Sequence, residues 1–170
     1  MEIKPKVATM FTAAYDHYAN AIFRYCYFKT SDRELAKDLM QQTFLQTWSY
    51  LNRGEEIRDF RPFLYRIANN LVVDWYRQKK ADSLDNLLEQ GFNLPDPKTN
   101  PEAEVELAWV FKVLDQLEDK DKELVIWRQV EGLPIKEIGQ MIGENENNTA
   151  VKIHRALKKL RDLLKLNKNE

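Results

Sequence analysis

The sequence predicts an all-α protein of two small helical domains joined by a flexible acidic linker. Three observations predict it. Only five of the 170 residues are glycine and no Asn-Gly pair separates alternating apolar runs, so strand and hairpin signals are missing. Apolar residues instead recur at the three-and-four spacing of amphipathic helices through most of the chain. Between residues 81 and 101 that spacing dissolves into a stretch holding Gly91, Asn93, Pro95, Pro97, Asn100 and Pro101, the punctuation of a domain boundary. The domains are therefore placed at 1–80 and 102–170, with 81–101 as linker.

The first helix runs from about residue 7 to 29 and is dense in aromatics: Phe11, Tyr15, Tyr18, Phe23, Tyr25, Tyr27 and Phe28. Cys26 lies among them and reads as a small core residue. Ser31, with Glu34 three residues on, has the capping-box spacing for a second helix over 32–51. There Leu35, Leu39, Met40, Thr43, Phe44, Thr47, Trp48 and Leu51 recur at helical intervals, leaving Asp38, Gln41, Gln42 and Gln46 on other faces. Asn52-Arg53-Gly54 stops the helix, and 53–59 is a polar loop. Pro62 then fits the first turn of a helix over Phe60–Lys80.

That third helix turns Phe60, Phe63, Leu64, Ile67, Ala68, Leu71, Val72 and Trp75 toward a core. Its opposite face carries Arg61, Tyr65, Arg66, Asn69, Asn70, Asp74, Tyr76 and Arg77, and five basic residues against one acid give the segment a charge of +4. Amides and tyrosines beside guanidinium groups suit a surface that grips phosphates and stacks on bases. An ordinary solvated amphipathic helix would share the pattern.

In the second half, helices are expected near 102–118, 121–131, 135–142 and 149–166, with Gly132-Leu133-Pro134 and a turn at Gly143–Asn148 between the last three. Ala150, Ile153, Leu157, Leu160 and Leu164 form a seam on the last helix against Ile135, Ile138, Met141 and Ile142, while Lys152, Arg155, Lys158 and Lys159 stand off it. A short helix, a glycine turn and a basic second helix make a helix-turn-helix layout, whose second helix enters the major groove. The plain alternative is an αα-hairpin with a basic flank. The turn Glu144–Asn148 reads about a residue longer than the usual template.

Charge and composition narrow the function. The formal net charge is −1, unlike the basic balance of a free-standing DNA binder. Residues 81–106 nevertheless hold seven acids and one lysine, and 148–168 hold seven Lys or Arg and one Asp, so local basic surfaces alternate with an acidic stretch. One cysteine and two histidines offer no disulfide and no zinc cluster. No apolar run reaches the ~20 residues that span a bilayer, and no leader opens the chain, so the expected compartment is cytoplasmic, without membrane insertion.

Taken together, the two halves resemble a sigma-70 family RNA polymerase sigma factor of the extracytoplasmic-function (ECF) group. Asp32–Trp48 resembles that family's region 2.2. Phe60–Lys80, with Phe63-Leu64-Tyr65-Arg66-Ile67-Ala68-Asn69-Asn70-Leu71, resembles regions 2.3 and 2.4. Residues 114–164 resemble region 4 through Glu131-Gly132-Leu133-Pro134-Ile135-Lys136-Glu137-Ile138-Gly139 and His154-Arg155-Ala156-Leu157-Lys158-Lys159-Leu160. The resemblance implies a region 2 helical bundle and a region 4 helix-turn-helix domain, with no cofactor, metal or catalytic centre.

The resemblance also implies partners and residues. Core RNA polymerase would be held through its β′ clamp coiled coil by Asp38, Gln41, Gln42, Phe44 and Trp48, with its β flap as a further contact. The family often carries Glu at the position of Gln42. The −10 promoter element would be read and melted by Arg61, Tyr65, Arg66, Asn69, Asn70, Asp74, Tyr76 and Arg77. The −35 element would be bound as duplex by Asn147, Asn148, Thr149, Lys152, Arg155 and Lys159. The linker would thread toward the polymerase active-site and RNA exit region, and an anti-sigma factor would cover these surfaces. Two rival readings stand beside this one. A stand-alone helix-turn-helix regulator with an N-terminal sensor or dimerisation bundle would shift promoter duplex without polymerase. An all-α enzyme would need a nucleophile-base pair or a phosphate loop, and no such motif is present.

Overall fold

Every regular element among the described residues is helical, as the apolar spacing predicts. The computed structural model describes residues 5–82 and 101–167. Helix α1 spans Pro5–Thr30, α2 Arg33–Asn52, α3 Phe60–Asp82, α4 Pro101–Leu114, α5 Asp119–Val125, α6 Ile135–Ile142 and α7 Glu146–Asn167. The chain divides into two units, Met1–Phe92 and Asn93–Glu170. The expected linker, whose sequence carries a short apolar patch at Leu84, Leu87 and Leu88 that suggests docking, lies outside the described residues except at its ends. There α3 runs on to Asp82 and α4 opens on Pro101, where a proline's missing N–H is harmless.

In the first unit α1, α2 and α3 pack pairwise. Their shared core is Ile22, Tyr25 and Cys26 from α1, Ala36, Leu39, Phe44 and Leu51 from α2, and Leu64, Tyr65, Ala68 and Val72 from α3. Fully buried Cys26, Ala36 and Ala68 are small enough to let the helix backbones approach closely. Thr43 and Thr47 are also buried, and their hydroxyls donate to the carbonyls of Leu39 and Thr43 at 2.8 Å each. Burial therefore leaves no unpaired hydroxyl on this face. Nearer the start of α1, Phe11 meets Trp48 edge-on at 5.0 Å and Tyr15 meets Phe44 at 4.8 Å.

The junction of α1 and α2 departs from the sequence reading. The cap of α2 is Asp32, whose Oδ1 accepts from the Leu35 N–H at 3.0 Å. Ser31 takes a left-handed φ of 55° and its N–H donates to the Tyr27 carbonyl at 2.8 Å, so it closes α1. An N-cap needs extended backbone, which Ser31 does not have.

In the second unit Phe111, Leu114, Leu124, Ile126, Trp127, Leu133, Ile138, Ile153 and Ala156 make the core. The single helix expected near 121–131 is an α-helix followed by a π-helical turn, Ile126–Val130. The Glu131 N–H reaches back five residues to the Ile126 carbonyl at 3.0 Å. The Arg128 guanidinium donates to the Leu133 carbonyl at 3.0 Å, holding the loop that leads into α6.

The turn between α6 and α7 is short. Gly143 caps α6 at a left-handed φ of 72°, and α7 already begins at Glu146. Asn145 makes that early start possible: its Oδ1 accepts from the Asn148 N–H at 2.9 Å and its carbonyl from the Thr149 N–H at 3.0 Å. The longer turn read from the sequence, Gly143–Asn148, is thus replaced by Gly143–Asn145, because the first of several capping residues is the one used. Gly139 is the second requirement. A Cβ there would stand 2.8 Å from the Glu144 carbonyl oxygen and 3.0 Å from Thr149 Oγ1. Gly139→Ala is expected to destabilise the second unit by about 1–3 kcal/mol, and Gly143→Ala, through left-handed strain, by about 1 kcal/mol. Native-state hydrogen exchange of the α6 and α7 amides checks both, with α1–α3 amides as the unaffected reference.

Candidate nucleic-acid interface

Among the described residues, α2, α3 and α7 each turn polar or cationic side chains to solvent. On α3 the exposed residues include Arg66, Asn70, Asp74 and Arg77. The Arg66 guanidinium lies over the Phe63 ring, 5.7 Å from its centroid, which holds the charge at the mouth of a groove between α2 and α3. That groove encloses about 610 Å³ and is lined by Leu45, Tyr50, Phe63, Arg66 and Asn70 among others. Two further recesses, of about 420 and 550 Å³, flank the 53–59 loop against α1, with His17, Tyr18, Arg58 and Phe60 in the walls of the larger. Asp59 orients that loop by accepting from the Arg61 N–H at 3.1 Å.

Not every residue assigned to this face is on it. Tyr65 is 2 % exposed and meets the fully buried Tyr25 edge-on at 5.5 Å, so its placement among exposed tyrosines is corrected to the core. Asn69 is half-buried and accepts from the Tyr25 hydroxyl at 2.8 Å. Arg61 is half-buried. Tyr76 keeps an exposed ring, but its hydroxyl donates to the Lys29 carbonyl at 2.7 Å. Arg77 faces Asp74 across 3.6 Å with both side chains in solvent, a pairing worth little.

On α7, Asn147 and Asn148 occupy the first turn and are exposed, as is Arg155 two turns further along the same side. Thr149 is corrected to the interior: it is fully buried and its hydroxyl donates to the Asn145 carbonyl at 2.8 Å. Lys152 is paired with Glu144, and Lys159 donates to Asp121 Oδ2 at 2.5 Å. The hydrogen bond to Asp121 raises the Lys159 ammonium above the ordinary lysine value; loss of hydration opposes it as the next-largest effect, and the charges of Asp121 and Glu118 add smaller upward contributions. A raised lysine contributes fully below its unfolded value and loses that contribution only as pH climbs through the folded one. The pair is therefore complete at neutral pH, and solvent keeps it weak.

On α2 the outward stripe is Asp38, Gln41, Gln42, Leu45 and Ser49. Phe44 is 3 % exposed in the aromatic cluster, so it is corrected to the core, and Trp48 is half-buried against Phe11. The residue that sequence reading missed is Leu45, 65 % exposed in the middle of this polar stripe. Its signal was an apolar residue four before Ser49 and four after Gln41. Val151 on α7, half-exposed between Asn147 and Arg155, was missed in the same way.

Comparison with known proteins places these faces in a family. The sigma-70 region 2 family model matches residues 14–81, and the sigma-70 region 4 model matches residues 107–160. The chain belongs to the sigma-70 family. Its curated relatives are ECF RNA polymerase sigma factors: BldN of Streptomyces coelicolor, 28% identical over 167 residues, and SigM and SigW of Bacillus subtilis, 26% and 25% identical over 152 and 175 residues. These alignments cover 92%, 88% and 96% of this sigma-70 chain; they cover 91% of SigM and 94% of SigW but only 61% of BldN. The chain thus spans about three fifths of BldN's length. Two solved structures share the fold: the sigma factor RpoE from Bartonella quintana, in complex with the anti-sigma factor NepR, and CnrH, in complex with the cytosolic domain of CnrY. Their TM-scores are 0.72 and 0.71 at 20% and 23% identity, over 91% and 92% of this chain and 96% and 88% of theirs. Among the described residues of this sigma-70 chain, no helix is long and apolar enough to cross a membrane and no side-chain cluster could hold a metal ion.

The burial differences separate structural from surface roles. Tyr65→Ala is expected to lose about 3–5 kcal/mol of stability, as aromatic truncations in cores do. Asn70→Ala and Arg66→Ala should stay within about 0.5 kcal/mol. Urea denaturation of the three variants measures the difference.

Proposed function

We propose that the chain is a promoter-specificity subunit, which binds core RNA polymerase and directs initiation at defined sequences without a catalytic centre of its own. The observation that supports it best is the order of two unlike modules: a helical bundle with a cationic, amide-bearing face, then a helix-turn-helix. Residues 1–80 serve as region 2, 81–101 as linker and 102–170 as region 4. The protein works in the cytoplasm, where core polymerase and promoter DNA are found.

The chemistry divides between the faces. Asp38, Gln41, Gln42 and Leu45 on α2 form the docking stripe for the polymerase clamp, with Leu45 as the apolar anchor and Trp48 at its edge. On α3, Arg66 and Arg77 neutralise phosphates of the −10 strand while Asn70 hydrogen-bonds a base edge. Melting removes a base from its stack at a cost of a few kcal/mol. The larger recess beside the 53–59 loop, walled by Tyr18 and Phe60, offers such a base aromatic surface in return. On α7, Asn147, Asn148 and Arg155 face the −35 duplex, and Lys152 and Lys159 flank it. An anti-sigma protein that covers these faces completes the proposal, and the capture of the RpoE relative by NepR supports that class of partner.

Run-off transcription with purified core enzyme tests the reading. Wild-type protein should drive initiation at one promoter class, and failure at every promoter in a library would overturn the proposal. Asn70→Ala should reduce open-complex formation about tenfold while leaving polymerase affinity within about twofold. Asp38→Arg or Leu45→Asp should do the reverse, weakening polymerase capture about tenfold, or 1.4 kcal/mol.

A further inference from the structure

Helix α7 exposes two large apolar side chains among the described residues, Val151 at 50% and Leu166 at 68%. Leu166 belongs to the last turn, whereas Val151 lies in the second, beside the residues nearest the turn. Its neighbours on the outward face are Asn147 and Asn148 before it and His154 and Arg155 after it, all exposed. The residues that hold α7 to its unit, Thr149, Ile153 and Ala156, are turned the other way and buried. Valine also weakens an exposed helix relative to alanine by about half a kcal/mol. Val151 therefore adds nothing to the core and sits on a surface otherwise built for hydrogen bonding.

In a helix-turn-helix the early residues of the second helix meet base edges in the major groove. The apolar group presented there is the 5-methyl of thymine. The asparagines before it suit adenine, which offers N6 and N7 in the same groove, and the arginine after it suits guanine. We propose that Val151 is a specificity-determining residue, covering the methyl of one thymine in the upstream duplex next to base pairs read by Asn147 or Asn148 and Arg155. The proposal rests on the reading of α7 as the −35 binder and deepens it. Docking on the polymerase would need further exposed apolar residues around Val151, and its neighbours are amides, an imidazole and a guanidinium.

The test is a thymine-to-deoxyuridine scan of the upstream duplex, which removes one methyl at a time, with the full chain bound to core polymerase. Wild-type complex should lose about fourfold in affinity at one position, the worth of one buried methyl. Val151→Ala should abolish that sensitivity and leave the rest of the profile in place. A flat scan in the wild type, while Arg155→Ala still weakens upstream binding, overturns the role of Val151 and leaves α7 as the duplex reader. Loss of polymerase capture by Val151→Ala, with its sequence preference unchanged, overturns it in favour of a protein contact. If neither Arg155→Ala nor the upstream sequence affects binding, the assignment of α7 falls and that of Val151 with it.

Discussion

The hydroxyl of Tyr25, fully buried in the first unit, finds its acceptor on another helix, donating to Asn69 Oδ1 at 2.8 Å while the Tyr25 ring packs edge-on against Tyr65. A buried hydroxyl left unpaired costs about 1–3 kcal/mol, so this contact sets the rotation of α3 about its own axis. With about 100° between successive residues, turning Tyr65 and Asn69 inward turns Arg66 and Asn70 outward. A slip by one residue would bury the Arg66 charge without a partner, which is far more expensive. The polar face of α3 is thus specified from inside the bundle.

The second unit solves the same problem at a turn. Gly139 lets the Glu144 carbonyl and the Thr149 hydroxyl close over α6, and Asn145 starts α7 at once. Together they decide which residues occupy the first turn of α7. Asn147 and Asn148 lie on the helix as exposed amides, at the end where the dipole already favours negative partners.

Much of this was legible in the sequence. The extents of α1, α2 and α6 were readable to within a residue or two from apolar spacing and from Gly54 and Gly143, because periodicity and left-handed turns leave marks on composition, though the residue that caps α2 was not. The helix-turn-helix and the family resemblance followed from the same marks. What could not be read was the inward or outward fate of residues that are half polar. Tyr65 and Thr149 carry both an apolar body and a hydroxyl, so pattern alone places them on either face. The start of α7 was ambiguous because Asn145, Asn147, Asn148 and Thr149 are all able to cap. The π-helical turn escaped notice because one extra residue looks like a phase slip in an otherwise regular helix. Leu45 and Val151 went unread for the opposite reason: an apolar residue in a helix is assumed to face inward until packing shows otherwise.

The carboxylates beside Lys152 and Lys159 have a consequence for ionic strength. A phosphate that recruits either ammonium must displace Glu144 or Asp121 from it, and the freed carboxylate then gathers sodium or potassium from solution. Fewer condensed ions are set free in total than the number of lysines and arginines on α7 would suggest. If α7 grips the double helix as proposed, affinity should accordingly decline more gently with added electrolyte than the roughly one power per phosphate expected of unencumbered cations.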